Sequence, residues 1–330
     1  MKKYFKYIFA MIFSFTLVGC MKYGEKDIVD DLSKKINKAD GYYLTGELEI
    51  VNNEDSYLYN VEVAYEKEDN FRVSLKNKTN NHEQIILKND DGVYVLTPSL
   101  NKSFKFQSEW PYNNSQAYLL QTILKDIEND KDRVFEEVED GYIFTTKVNY
   151  SSNNNLVKQK ITFDKDLNIK EVVILNNNDI TQMKMTFNSV DYKATYDETY
   201  FTLSGNMSTS GTQTTSKTLD NIVYPMYIPE NTKLSGQEKV STEDGERIIL
   251  TFSGDSPFML VQETAKVAED LLTIPMYGEP YMITGTVGAV SESSVTWVNN
   301  GVEFYVVSDV LSSEQLLEVA NSINTMTVSK

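Results

Sequence analysis

The sequence predicts an α+β fold, on three observations. Short runs in which apolar and polar residues alternate recur at a spacing of roughly ten residues, divided by Asn- and Asp-rich turns, which is the pattern of an antiparallel meander. One stretch with helical spacing interrupts these runs. Past a Ser/Thr/Gly-rich break at residues 204–218, strand and helix patterns mix in a markedly acidic segment.

The N-terminus is a targeting segment rather than part of the fold. Lys2, Lys3 and Lys6 precede an uncharged, mostly apolar run of 11 residues from Ile8 to Val18. A membrane-spanning helix takes about 20 residues, so this run is too short to span and fits a secretory signal. Leu17-Val18-Gly19-Cys20 resembles the lipobox of bacterial lipoproteins, in which the Cys receives diacylglycerol and the signal is cut just before it. The alternative is an ordinary signal peptide ending near a chance cysteine. Cys20 is the only cysteine in the chain, which favours the lipobox and leaves no intramolecular disulfide or multi-cysteine zinc site. Cleavage after Gly19 leaves 330 − 19 = 311 residues, and loss of three lysines takes the formal charge from -17 to -20.

Glu25 to Lys38 places Ile28, Val29, Leu32 and Ile36 at helical spacing, only five residues beyond the anchor. Its polar face mixes signs, which suits packing on a core better than lying on a bilayer. Alternating strands follow at Tyr42–Ile50, Tyr57–Tyr65 and Phe71–Leu75. The pattern resumes at Gly141–Phe144, Val157–Phe163, Ile169–Val173 and Met183–Phe187. Between the two sets, Ser115 to Ile127 brings Ala117, Leu120, Leu124 and Ile127 to one side, so a helix is expected as a lid over one sheet face.

Residues 219–330 carry 16 acidic and 5 basic side chains, a local charge of -11. Ser256-Pro257, followed by Phe258, Val261, Ala265, Ala268 and Leu272, predicts a helix opened by an N-cap and an N1 proline. Ser312-Ser313-Glu314-Gln315 is a capping box before Leu316, Leu317, Ala320 and Ile323. Strands are expected at 247–252, 284–290, 294–298 and 302–307, with Asn299-Asn300-Gly301 as a hairpin turn.

Composition excludes much chemistry. Forty-eight acidic against 31 basic residues argue against nucleic acid, whose phosphates need a cationic footprint. The single histidine, His82, lies in a polar turn, so a nucleophile–histidine machine would depend on one poorly placed ring. Asp30-Asp31, Asp90-Asp91 and Glu136-Glu137 read as solvated turn and strand positions rather than paired catalytic carboxylates. Asp126 to Asp130 lacks the glycine and terminal glutamate of a calcium loop. No P-loop, GxGxxG or GxSxG occurs, so neither a catalytic residue nor a cofactor or metal is expected. The 21 tyrosines fit half-exposed strands, and they also fit a protein-contact surface.

Asp90 to Ile127 resembles the LolA-like family of lipoprotein carriers, with an Asp-Gly turn entering a strand, a Pro-containing turn and a returning strand. Within that family it is most similar to the sporulation and germination lipoproteins of the YdcC and GerS type found in Gram-positive spore formers. Their signature is matched by Phe106-Gln107, Trp110-Pro111 and Ser115-Gln116-Ala117-Tyr118-Leu119. The likeness continues through Lys158–Phe163 and Met183–Phe187 to Phe201, and more faintly through Tyr224-Pro225-Met226-Tyr227-Ile228-Pro229. Carriers often have Trp after the Asp-Gly turn, where this chain has Val93-Tyr94-Val95-Leu96.

The resemblance implies an antiparallel half-barrel with a helical lid over residues 20–203, after the signal peptide 1–19. A linker at 204–218 and a small α+β domain over 219–330 complete the expected organisation. Trp110, Pro111, Ser115, Gln116 and Tyr118 become the expected lid or interface residues, with Cys20 as lipid anchor. Two functions follow from the resemblance. One is a non-enzymatic partner in spore envelope or cortex formation or germination, held on the outer face of the cytoplasmic membrane or between forespore and mother cell. Its implied partner is a peptidoglycan amidase or another cell-wall protein. The other is a lipid or lipoprotein carrier using the concave apolar face. A diacylated protein on a five-residue tether cannot shuttle, which favours the first.

Overall fold

A computed structural model of the chain describes residues 23–52, 55–150, 153–207, 219, 221–242, 245–283 and 285–323. The signal segment, Cys20 and residues 208–218 of the expected linker lie outside them. Most of the described chain is strand, arranged in two open sheets with four α-helices. None of these helices is long and apolar enough to cross a membrane.

Helix α1 (Glu25–Asn37) forms where the sequence predicts it and buries Ile28, Val29, Leu32 and Ile36. The Gly24 amide donates to Asp27 Oδ2 at 3.0 Å, and acidic residues in the first turn with lysines in the last oppose the helix dipole. Lys35 Nζ ties the far end to the carbonyls of Asp166 and Leu167, each at 3.0 Å, and to Asn168 Oδ1 at 2.8 Å.

Six strands follow as an antiparallel meander: β1 (Gly41–Asn52), β2 (Asp55–Glu66), β3 (Asn70–Asn77), β4 (Glu83–Asn89), β5 (Gly92–Thr97) and β6 (Lys102–Phe106). Helix α2 (Leu120–Asn129) leads into a second meander of β7 (Val134–Val138), β8 (Gly141–Lys147), β9 (Leu156–Asp164), β10 (Ile169–Asn176) and β11 (Thr181–Asp191). Pairing of β11 with β1 joins the two meanders. A bulge in β11 at Asn188, opposite Thr45 and Gly46 of β1, shifts the register there, and the Gly46 backbone lies against the Thr186 carbonyl, where no Cβ would fit.

The inner face of this sheet carries Tyr42, Leu44, Leu48, Val63 and Val73, and the two helices cover it. The outer face around Ile85, Leu87, Tyr94 and Leu96 is covered by residues 196–207, including Tyr196, Tyr200, Phe201 and the short helix α3 (Leu203–Met207). Part of the tyrosine-rich outer surface is therefore already in contact with the chain itself.

Strands β12 (Thr232–Thr242), β13 (Gly245–Gly254), β14 (Phe258–Thr264), β16 (Glu279–Ile283), β17 (Thr286–Val290), β18 (Ser294–Asn299) and β19 (Val302–Val307) form the second sheet, in the order β12-β13-β14-β19-β18-β17-β16. Strand β15 (Leu272–Met276) leaves it and pairs parallel with β6, making the first sheet twelve-stranded. Helix α4 (Ser313–Asn321) packs on the second sheet through Leu316, Leu317 and Ala320. Its capping box is formed, with the Gln315 amide donating to Ser312 Oγ at 3.3 Å and the Ser312 amide donating to Gln315 Oε1 at 3.0 Å.

Two elements differ from expectation. The helix expected from Ser256-Pro257 is β14, in which Phe258, Leu260, Gln262 and Thr264 are buried in strict alternation. This stretch lies between β13 and β19, and ladder bonds on both sides outweigh its helical spacing. The lid helix begins at Leu120 rather than Ser115. The Ser115 amide donates to the Asn149 carbonyl at 2.8 Å, and the Asn149 amide donates to Ser115 Oγ at 2.9 Å, so residues 115–119 are held to the neighbouring segment instead.

Candidate functional site

The turn between β6 and α2 holds the five signature residues and lies over the inner face of the large sheet. Trp110 is 1% exposed, and its ring meets Phe71 edge-on with centroids 6.0 Å apart. The peptide joining it to the buried Pro111 is cis. Next to it, Tyr112 packs edge-on against Phe71 and donates its hydroxyl to Asp69 Oδ1 at 2.7 Å. Lys125 Nζ donates to the Tyr112 carbonyl at 2.9 Å, which fixes the turn to α2.

Ser115 is buried and belongs to a polar knot beneath the lid. Asp126 on α2 accepts from Gln159 Nε2 at 2.8 Å, and the same Gln159 nitrogen donates to Thr146 Oγ1 at 3.2 Å. Burial pushes the Asp126 carboxyl up to about 6, against the opposing pull of hydrogen bonds from Ser115 and Gln159. Tyr118 is buried too, and desolvation holds its phenol well above the usual range. Gln116 is half-buried and faces a cleft.

That cleft, narrow and open to solvent, lies between the inner face of the first sheet and the β16–β17 hairpin of the second. Leu48, Ile86, Ala117, Tyr118, Met183 and Tyr281 line it, with Asn114 and Gln116 at its polar side. A second cleft, lined by Ile50, Tyr57 and Leu156, shares Met183, Tyr281 and Met282 with the first. Val287 and Ala289 of β17 belong to the same buried cluster as Trp110 and the lid, so the hairpin fills much of the inner face.

His82 is half-buried, and desolvation holds its ring below the ordinary value. Its Nδ1 stands 3.5 Å from Ser99 Oγ, too far for a firm hydrogen bond, and Nε2 has no partner. Among the described residues no carboxylate is hydrogen-bonded to the ring, so the Ser99–His82 pair lacks there the third group that an activated nucleophile needs. Among the described residues, no three His, Cys, Asp or Glu side chains are grouped to hold a metal.

The clefts and the polar ties between the sheets escaped the sequence reading, because both require the two sheets to be brought together. Gln84 and Glu303, which make those ties, are polar residues at inward strand positions, the one signal that pointed to them.

No protein-family model matches the chain. Sporulation protein YdcC of Bacillus subtilis strain 168 is 37% identical over 312 residues, which are 93% of this chain and 92% of the relative. Among solved structures, the MucA/MucB complex of Pseudomonas aeruginosa aligns with 14% identity and a TM-score of 0.34, covering 90% of this chain and 98% of that one. The complex of the CwlD amidase with the GerS lipoprotein from Clostridioides difficile aligns with 15% identity and a TM-score of 0.32, covering 52% and 96%. Such distant likenesses leave the assignment to the sequence relative: the chain belongs to the family of sporulation protein YdcC.

Proposed function

We propose that the protein is a non-enzymatic partner in building or opening the spore envelope, anchored outside the cytoplasmic membrane through diacylglycerol on Cys20. The observation that carries this reading is the filled inner face of the large sheet. In the half-barrel proposed for residues 20–203, this face would be the place for an acyl chain. Trp110, Tyr118, α2, Val287 and Ala289 occupy it with the chain's own side chains. The sporulation role of the relative and the lipobox support the setting. The proposed partner class, a peptidoglycan amidase or other cell-wall protein, rests on the signature from Phe106 to Leu119.

A second reading, binding of a lipid or other apolar molecule, is favoured by the cleft beside Met183 and Tyr281, whose lining is largely apolar. Mass analysis of the soluble body from Tyr23 onward separates the two. A scaffold is expected to be free of lipid, and stoichiometric lipid that passes to vesicles would establish the carrier. In cells, Cys20→Ala should abolish acylation and cleavage, and deletion should yield spores with altered cortex or poor germination. Normal spores in the deletion strain would overturn the proposal.

A further inference from the structure

The segment between Val223 and Thr232 has no helix or strand, yet it is held firmly and carries large apolar side chains into solvent. Tyr224 is 46% exposed, Met226 82%, Tyr227 39% and Ile228 38%, while Pro225 between them and Pro229 after them are buried. On the inner side, the Gln262 amide clamps the Val223 peptide. Its Oε1 accepts from the Val223 amide at 2.9 Å, and its Nε2 donates to the Val223 carbonyl at 2.6 Å. Further along, the Met226 amide donates to the Ser322 carbonyl at 3.2 Å and the Tyr224 hydroxyl to Gln237 Oε1 at 2.7 Å. The two prolines fix φ as well. This is an apolar ridge whose ordering cost has been met during folding, so a partner that docks on it need not order it.

We infer that Tyr224–Ile228 is a preformed docking ridge for a partner protein that offers an apolar groove rimmed by lysine and arginine. The inference rests on the partner-protein reading above and adds the surface. Tyr and Met are the residue types that interface centres favour. Charge identifies the occupant. The Tyr227 hydroxyl donates to Glu318, and Glu230 lies two residues beyond Ile228, past Pro229. Both are exposed and, among the described residues, paired with no cation, in a segment of net charge -11. Lys233 is the cation nearest in sequence. A second copy docking face to face would set these carboxylates against each other, and an anionic bilayer would be repelled by them.

Met226→Cys tests the ridge in the full-length protein, because the side chain is mostly in solvent and Cys20 is the only native cysteine. Val134→Cys, 53% exposed on the edge strand of the other sheet, is the control. In host-cell envelopes, maleimide should label residue 226 about tenfold more slowly than in purified protein, as expected for a hot-spot side chain buried by a partner. A wash at about 1 M salt, where charges are screened beyond a few ångströms, should restore the rate. Residue 134 should label equally in both. Equal labelling at 226 would overturn the ridge. So would slowing in the purified protein that grows with its concentration, which means a second copy, or slowing by phosphatidylglycerol vesicles alone, which means a membrane. A photo-crosslinker on residue 226 separates this inference from the reading beneath it. A basic protein unrelated to the cell wall would keep the ridge and overturn the proposed partner class.

Discussion

The Gln84 side chain pairs with the Val287 peptide as a neighbouring strand would. Its Oε1 accepts from the Val287 amide at 2.5 Å, and its Nε2 donates to the Val287 carbonyl at 3.0 Å. Thr286 Oγ1 adds a third bond to Gln84 Oε1 at 2.7 Å. Gln84 lies on β4 and Val287 on β17, so one buried amide fastens the first sheet to the second. Gln262 treats the Val223 peptide in the same way, a second use of a primary amide as a backbone substitute inside this protein.

Gln84→Ala should cost about 2–4 kcal/mol, because three hydrogen bonds go and the Val287 amide is left buried without a partner. Thr286→Val, which removes one of the three, should cost about 1 kcal/mol. Urea unfolding of both variants checks this. Equal effects would mean that the clamp does not act through the peptide.

Lys102 on β6 and Glu303 on β19 form a buried ion pair across the same junction, and Glu303 Oε2 also accepts from the Tyr305 hydroxyl at 2.9 Å. Lys102→Met or Glu303→Leu alone should destabilise by about 3–5 kcal/mol, since each strands a buried charge. The double variant should be more stable than either single one, because its two apolar side chains replace a pair whose attraction only offsets desolvation. A double-mutant cycle measures the coupling, and additive losses would refute it.

These two junctions show where the sequence could be read and where it could not. Helix α1, the capping box of α4 and the hairpin at Asn300 and Gly301, both at positive φ, follow from local chemistry and stand where expected. Strand β14 did not, because Gln262 breaks the apolar alternation at an inward position. Its amide is buried to hold Val223, so polarity there marks a hydrogen bond rather than exposure. Strands β4, β12 and β16 are not among the elements expected from the sequence. The move of β15 into the other sheet had no local signal either, since pairing with β6 joins residues about 170 positions apart. Trp110 stands out through the signature from Phe106 to Leu119, whereas the cleft beside it needs both sheets.

Trp110→Ala should lower stability by about 3–5 kcal/mol, the cost of emptying a large, fully buried site. The loss should appear in thermal melting of the purified protein without any partner present. A variant that melts normally but fails to bind its partner would place Trp110 at an interface instead.

The pH dependence of folding should carry the mark of Asp126. Its carboxyl titrates near 6 in the folded chain against 3.8 for the unfolded reference, so the folded state holds the proton more tightly. The sign follows from linkage: stability from this group is complete below pH 4, falls as pH rises through 6, and is flat above. By the size of the shift the loss is about 3 kcal/mol. Burial alone would raise the Asp164 carboxyl, but Lys170 and Asn168 together hold it down to about 2, so its contribution is lost only at lower pH and the two windows separate. Asp126→Asn keeps an acceptor for Gln159 and a group for Ser115 while removing the titration. Unfolding free energies of the two proteins should agree near pH 4, and the variant should be the more stable by pH 7. A gap that does not change between these pH values would mean that Asp126 ionises as freely folded as unfolded, and that the polar knot under the lid is wet.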